Sequence, residues 1–224
     1  MDAVSVIALS MGAAWASGIN LYATLFMLGY MGTTGNINLP AEMDVLSNPM
    51  VMTAAGFMYC VEFFADKIPG VDSGWDTIHT FIRIPAGAML ASSAVGDVTP
   101  AVELTSAILG GVLATGTHTT KAGSRLLINT SPEPVTNWTA SISEDLLVIG
   151  GLWAALHHPV LFVIGLVVFI LVMIWLLPRL WRLIKRIFYR IGSWLGLCEA
   201  LPPIEDSTNS VEASSTVEQT KTKT

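Results

Sequence analysis

Charge is scarce in this chain. Of its 224 residues, 12% are Asp, Glu, Lys or Arg, about half the share of a typical water-soluble domain. Val4–Ala41, Val45–Val61, Leu104–Thr120 and Leu146–Pro178 contain none. A bilayer crossing needs about 20 mostly apolar residues, so several crossings fit and a water-soluble core does not. Cysteine is nearly absent: Cys60 and Cys198 supply neither a disulfide framework nor a zinc-ligand spacing. Phosphate-binding glycine loops, zinc-protease motifs and nucleophile elbows are missing as well. No enzyme and no cofactor is therefore expected. Nothing points to nucleic acid. No basic region precedes the first apolar run, which reads as a first span and not as a signal peptide.

What is present is apolar surface and segregated charge. The chain is 52% hydrophobic, with a mean hydropathy of +0.61. Arg179, Arg182, Lys185, Arg186 and Arg190 follow the most apolar run directly, interleaved with Trp181, Leu183, Ile184, Ile187 and Phe188. That is the pattern of an amphipathic helix on anionic headgroups, and the positive-inside rule makes it cytoplasmic. Glu199, Glu205, Asp206, Glu212 and Glu218 lie in a Ser/Thr-rich tail without apolar periodicity, which reads as disordered.

The expected fold class is all-α, a polytopic transmembrane helical protein with about six membrane segments. They cover residues 4–31, 49–64, 78–95, 101–128, 146–156 and 160–177. The domain plan is a membrane domain over 1–178, a basic juxtamembrane helix over 179–197 and a tail over 198–224. Two apolar segments carry the same small-residue step, Trp15-Ala16-Ser17-Gly18-Ile19-Asn20 and Leu113-Ala114-Thr115-Gly116-Thr117-His118. Glycine-interrupted segments in corresponding halves mark the binding site in inverted-repeat carriers. The step therefore predicts broken or re-entrant helices near Gly18 and Gly116, in two inverted three-segment repeats over 3–96 and 101–177. Six crossings place both termini in the cytoplasm. The alternative is that these small residues only let helices pack closely, with Gly12, Gly110 and Gly111 doing the same and a homo-oligomer as one outcome.

Ionisable groups inside apolar segments are costly and mark function. Glu62 and Asp66 share a helical face by their spacing of four, and Asp72, Asp76, His79 and Arg83 follow at four, three and four. These six residues form a candidate coupling site for a proton or cation, or else an interfacial helix with internal pairs such as Asp76–Arg83. His118, Lys121 and Arg125 form a second stripe, next to Thr117 and ahead of Asn129. Two cations, an imidazole and hydroxyls suit an anion such as phosphate or carboxylate; alternatively they neutralise Glu133, Glu144, Asp145 or the acidic set. Asn20 and Tyr22, after the first step, are the expected partners of His118, with Asn129, Glu133 and Asn137 at the mouth.

Ala14–Tyr22, Glu62–Arg83 and Gly116–Pro134 together resemble a family of bacterial integral membrane proteins defined by a domain of unknown function, number 4126. The resemblance runs over about Ala3–Leu177 and implies a bacterial inner-membrane protein, without a substrate. Arg83-Ile84-Pro85-Ala86-Gly87 is similar to a short segment of DedA-type proteins, which implies a phosphate-bearing lipid as cargo. The leading expectation is a secondary transporter of an anionic substrate, a phosphate-bearing lipid or small organic anion, coupled to protons or cations. Asn20, Thr117, His118, Lys121, Arg125 and Asn129 would bind the substrate. A cation channel or carrier using the acidic stripe, and a non-transporting scaffold, are the alternatives. Membrane lipids are the expected partners.

Overall fold

The computed structural model describes residues 2–68, 70–129 and 134–194. Among them are seven α-helices, one 3-10 helix and no strand: α1 (Ala3–Ile19), α2 (Leu21–Thr33), the 3-10 helix (Ala41–Ser47), α3 (Pro49–Ala65), α4 (Val71–Ala94), α5 (Pro100–Ile128), α6 (Pro134–His157) and α7 (Pro159–Trp194). The chain divides into two units, residues 1–184 and 185–224. The second is helical over its described residues, up to Trp194. The expected tail over 198–224 lies outside the described residues.

Helix boundaries follow the local chemistry. Asp2 caps α1 by accepting from the Ser5 N–H at 2.8 Å, and Asn48 caps α3 through Met50 N–H at 2.9 Å, with Pro49 in the first turn. Such caps satisfy amides that a helix start leaves without partners. Gly70 (φ +87°) and Gly96 (φ +70°) occupy left-handed conformations that only glycine adopts freely, and they set the turns before and after α4. Pro85 lies inside α4 without ending it.

The direction of each helix follows from what it touches. Ser10 on α1 donates to the Ala91 carbonyl at 2.8 Å, and Gly87 packs against Ser17, so α4 runs antiparallel to α1. Gly110 lies against Ala14, and Gly18 against Thr117, so α5 runs parallel to α1. Helix α2 turns back. Gly29 meets the Leu46 carbonyl, Gly56 meets Phe26, and Pro40 and Glu42 meet Gly96 beyond α4. Ser5, Asn36–Pro40 and Ala94–Gly96 accordingly line one cavity of about 530 Å³. Helices α1 and α2 thus form a hairpin, with its apex at Asn20.

These directions correct three expectations. First, α5 passes through Gly116 unbroken, because Gly116 serves close approach: a Cβ there would sit 2.7 Å from Met173 Sδ. Second, the opening helices of the two supposed repeats, α1 and α5, run the same way, and α2 has no counterpart after α5. The inverted three-segment repeat is therefore not the arrangement observed. Third, Gly116 touches Met173 and Gly123 touches Leu180 and Ile184, so α7 runs parallel to α5. Ala3 and Ile184 consequently lie at opposite ends of the bundle, not on one side.

Two stretches, Val135–His157 and Pro159–Arg186, are long and apolar enough to cross a membrane. Both present their apolar side chains outward, among them Leu146, Leu161, Val168 and Leu171.

Candidate functional site

Four helices deliver charged side chains to one place. Glu62 comes from α3 and Asp66 from its end, Asp72, Asp76, His79 and Arg83 from α4, His118, Lys121 and Arg125 from α5, and Glu144 and Asp145 from α6. The spacings of three and four that mark these stripes in sequence put each on one helical face. Packing α4 antiparallel to α5, with the ends of α3 and α6 against them, turns those faces inward. The acidic and basic sets, expected as separate sites, are one cluster.

Burial is nearly complete: Glu62, Asp72, Arg83 and Arg125 are 0% exposed, while Phe81, two residues from Arg83, is 82% exposed. Arg83 donates to Glu62 at 2.5 Å and Asp76 at 3.0 Å. Lys121 Nζ lies 3.0 Å from Asp66, 3.4 Å from Glu62 and 3.6 Å from both Asp76 and Glu144. Arg125 holds Glu144 through two nitrogens, Nε at 3.1 Å and Nη2 at 2.7 Å, the forked geometry that favours arginine over lysine. It also reaches Asp66 at 3.7 Å, Asp72 at 4.0 Å, and the Asn137 side chain. Removing charge from water is costly and is offset only where partners are close and well aligned, which this packing supplies.

The helix break belongs to the same cluster. Asn20 is extended (φ −145°, ψ 99°). Its Oδ1 accepts from Ala23 N–H at 3.0 Å, capping α2, and its Nδ2 donates to Asp145 Oδ1 at 3.1 Å. Lys121 donates to the Ile19 carbonyl at 3.1 Å, one of the acceptors left over where α1 stops. A cation at a helix C-terminus also meets the negative end of its dipole. Gly18 lets α5 approach: a Cβ there would sit 2.6 Å from the Ala114 carbonyl and collide with the Thr117 side chain.

The histidines are held by their neighbours. His79 Nδ1 faces the Trp75 carbonyl at 2.9 Å and Nε2 faces the Tyr22 hydroxyl at 3.1 Å. A carbonyl only accepts, so the ring proton sits on Nδ1 and Tyr22 donates to Nε2 in the neutral form. His118 has the opposite tautomer. Arg83 only donates, reaching Nδ1 at 3.3 Å, which leaves the proton on Nε2, 2.7 Å from Thr80 Oγ1.

Asn20 and His118 do not meet directly: Asn20 pairs with Asp145 and His118 with Thr80 and Arg83. Thr117 turns its hydroxyl to the Leu113 and Ala114 carbonyls of its own helix. Asn129 donates to both oxygens of Asp72, at 2.9 and 3.0 Å. Glu133, expected at the mouth, lies outside the described residues, as does any pairing of it with His118. Sequence reasoning offered Asp145 only as a counter-charge and Lys67 only as a neighbour of the acidic set; Lys67 Nζ lies 2.9 Å from the Phe63 ring centroid and 3.4 Å from Ser141 Oγ. The missed signal was a stripe: Asn137, Ser141 and Glu144–Asp145 follow helical spacing ahead of the apolar run.

The site carries more negative than positive charge. Six carboxylates, Glu62, Asp66, Asp72, Asp76, Glu144 and Asp145, face four cations, Lys67, Arg83, Lys121 and Arg125. Glu62 Oε2, Asp66 Oδ1, Asp76 Oδ2 and Asp145 Oδ2 are buried without hydrogen-bond partners. Among the described residues, no three of His, Cys, Asp and Glu converge as metal ligands do.

A family model described as a domain of unknown function, DUF4126, matches residues 7–179. The chain belongs to the DUF4126 family. The matched span contains the whole of this cluster and the Asn20 break, so the site is part of the DUF4126 domain. No curated protein and no solved structure matches the chain.

Proposed function

We propose that the protein is a polytopic membrane protein of the bacterial inner membrane, a proton-coupled secondary carrier for an anionic substrate. The inside-out distribution of side chains supports the membrane assignment. Phe57, Phe64, Phe81, Leu104, Val112 and Val135 are each more than 60% exposed, while charged groups fill the centre. A solvent of lipid makes that arrangement favourable. The basic run from Arg179 assigns the far end of α7 to the cytoplasm.

One observation carries the transport reading: Lys121 and Arg125, the two cations best suited to an anion, are held by carboxylates from the end of α3, from α4 and from α6. The carboxylates occupy the positions that a substrate carboxylate or phosphate would take. Protonation of a carboxylate in the cluster lowers the negative charge around those cations, and an entering anion takes its place. Proton and anion then travel together, because an unprotonated site has no free cation and each negative charge that enters is matched by a proton that removes one. A phosphate-bearing lipid or a small organic anion has the matching chemistry.

Vesicles containing the purified full-length protein and a luminal pH dye test this. An inward gradient of inorganic phosphate or succinate should acidify the lumen, and Lys121→Ala and Arg125→Ala should each lower that flux at least tenfold. Proton-tight vesicles under every anion gradient, phosphatidic acid included, overturn the reading. The unpaired carboxylate oxygens favour a second reading, a cation carrier. In that case a sodium gradient alone drives flux, Asp72→Asn and Asp76→Asn abolish it, and Lys121→Ala has the milder effect.

A further inference from the structure

Of the six carboxylates in the cluster, Asp145 alone has no cation within 4.0 Å among the described residues. Glu62 and Asp76 pair with Arg83, Asp66 with Lys121, and Asp72 and Glu144 with Arg125. Asp145 is 7% exposed, its Oδ1 is taken by Asn20 Nδ2 at 3.1 Å, and its Oδ2 has no partner. Burial of a carboxylate with no cation within 4.0 Å favours its neutral form.

We propose that Asp145 is the protein's proton-binding site and that it governs the break between α1 and α2. This rests on the proton-coupled reading above and names the residue that reading leaves open. The step is a simple protonation: a proton from the aqueous phase bonds to Oδ2, no bond breaks, and Oδ1 stays a carbonyl-like acceptor for Asn20. The groups facing Asp145 are the Tyr59 hydroxyl of α3, Asp66 and Lys67 beyond its end, Lys121 of α5, Asn20 at the apex, and Glu144 beside it on α6. Loss of the proton creates a bare charge whose facing cations are Lys121 and Lys67. Lys121 is the cation that holds the Ile19 carbonyl. The charge on Asp145 therefore reaches the break from both sides, through Asn20 on one and Lys121 on the other.

Infrared spectroscopy of the full-length protein in phosphatidylcholine vesicles tests the assignment. The wild type should show a protonated-carboxyl stretching band at neutral pH, which shifts when the protein carries ¹³C-labelled aspartate. Asp145→Asn should remove the band, and Glu144→Gln should retain it. A band that persists in folded Asp145→Asn, or one that ignores aspartate labelling in the wild type, overturns the proposal. The labelling arm does not depend on any variant folding. Failure here is separate from failure of the transport reading: anion-driven acidification with an unchanged band removes only Asp145, and an assigned band in proton-tight vesicles removes only transport.

Discussion

The chain carries one small-residue step twice, and the two copies behave oppositely. At Trp15–Asn20 the helix stops and reverses; at Leu113–His118 it continues without interruption. Glycine is common to both, so glycine does not make the break. The difference lies two residues later. Asn20 replaces lost backbone bonds with its own side chain and finds Asp145 and Lys121 alongside to satisfy the rest. His118 sends its ring sideways to Arg83 and Thr80, and Thr117 reinforces its own helix. A buried break persists where neighbouring groups serve the freed backbone, and only the first step has such neighbours.

Each arm of this contrast can be broken separately. The largest effect is expected from Gly18→Val, because its Cβ meets the backbone of α5, which cannot retreat. A loss of about 3 kcal/mol or more should appear as aggregated protein in detergent chromatography. Lys121→Met leaves the Ile19 carbonyl without its donor and Glu62, Asp66, Asp76 and Glu144 with one cation fewer, at a cost of about 3–5 kcal/mol. Adding Glu62→Gln should recover part of that loss in thermal denaturation; no recovery would mean that the pair is not coupled. Asn20→Ala removes the α2 cap, a cost of about 1 kcal/mol, and should speed hydrogen exchange at residues 21–24. The matching change His118→Asn should leave residues 116–120 protected. If it opens them, the side chain alone makes a break and the surroundings do not matter. Gly116→Ala is expected to be mildest, under about 1 kcal/mol, since the atom it meets is the flexible end of Met173.

Much of this was legible in the sequence because it is local. The three charged stripes follow from residue type and spacing. The stripes' meeting was legible only as an alternative, neutralisation of Lys121 and Arg125 by the acidic set, since Asp66 and Lys121 are 55 residues apart and only packing joins them. The return of α2 was not legible. Leu21–Thr33 is as apolar as a crossing helix, and hydropathy does not distinguish going on from coming back. Residues 129–144 read as a polar connection, although α6 starts at Pro134, because the side of α6 that faces the cluster is polar; the helical period carried the information and the composition concealed it.

The apex at Asn20 has a consequence for how the molecule is made. Its two stabilising partners, Lys121 and Asp145, arrive 102 and 125 residues later in the chain. The hairpin, synthesised ahead of α5 and α6, therefore gains these two partners only after both have been made.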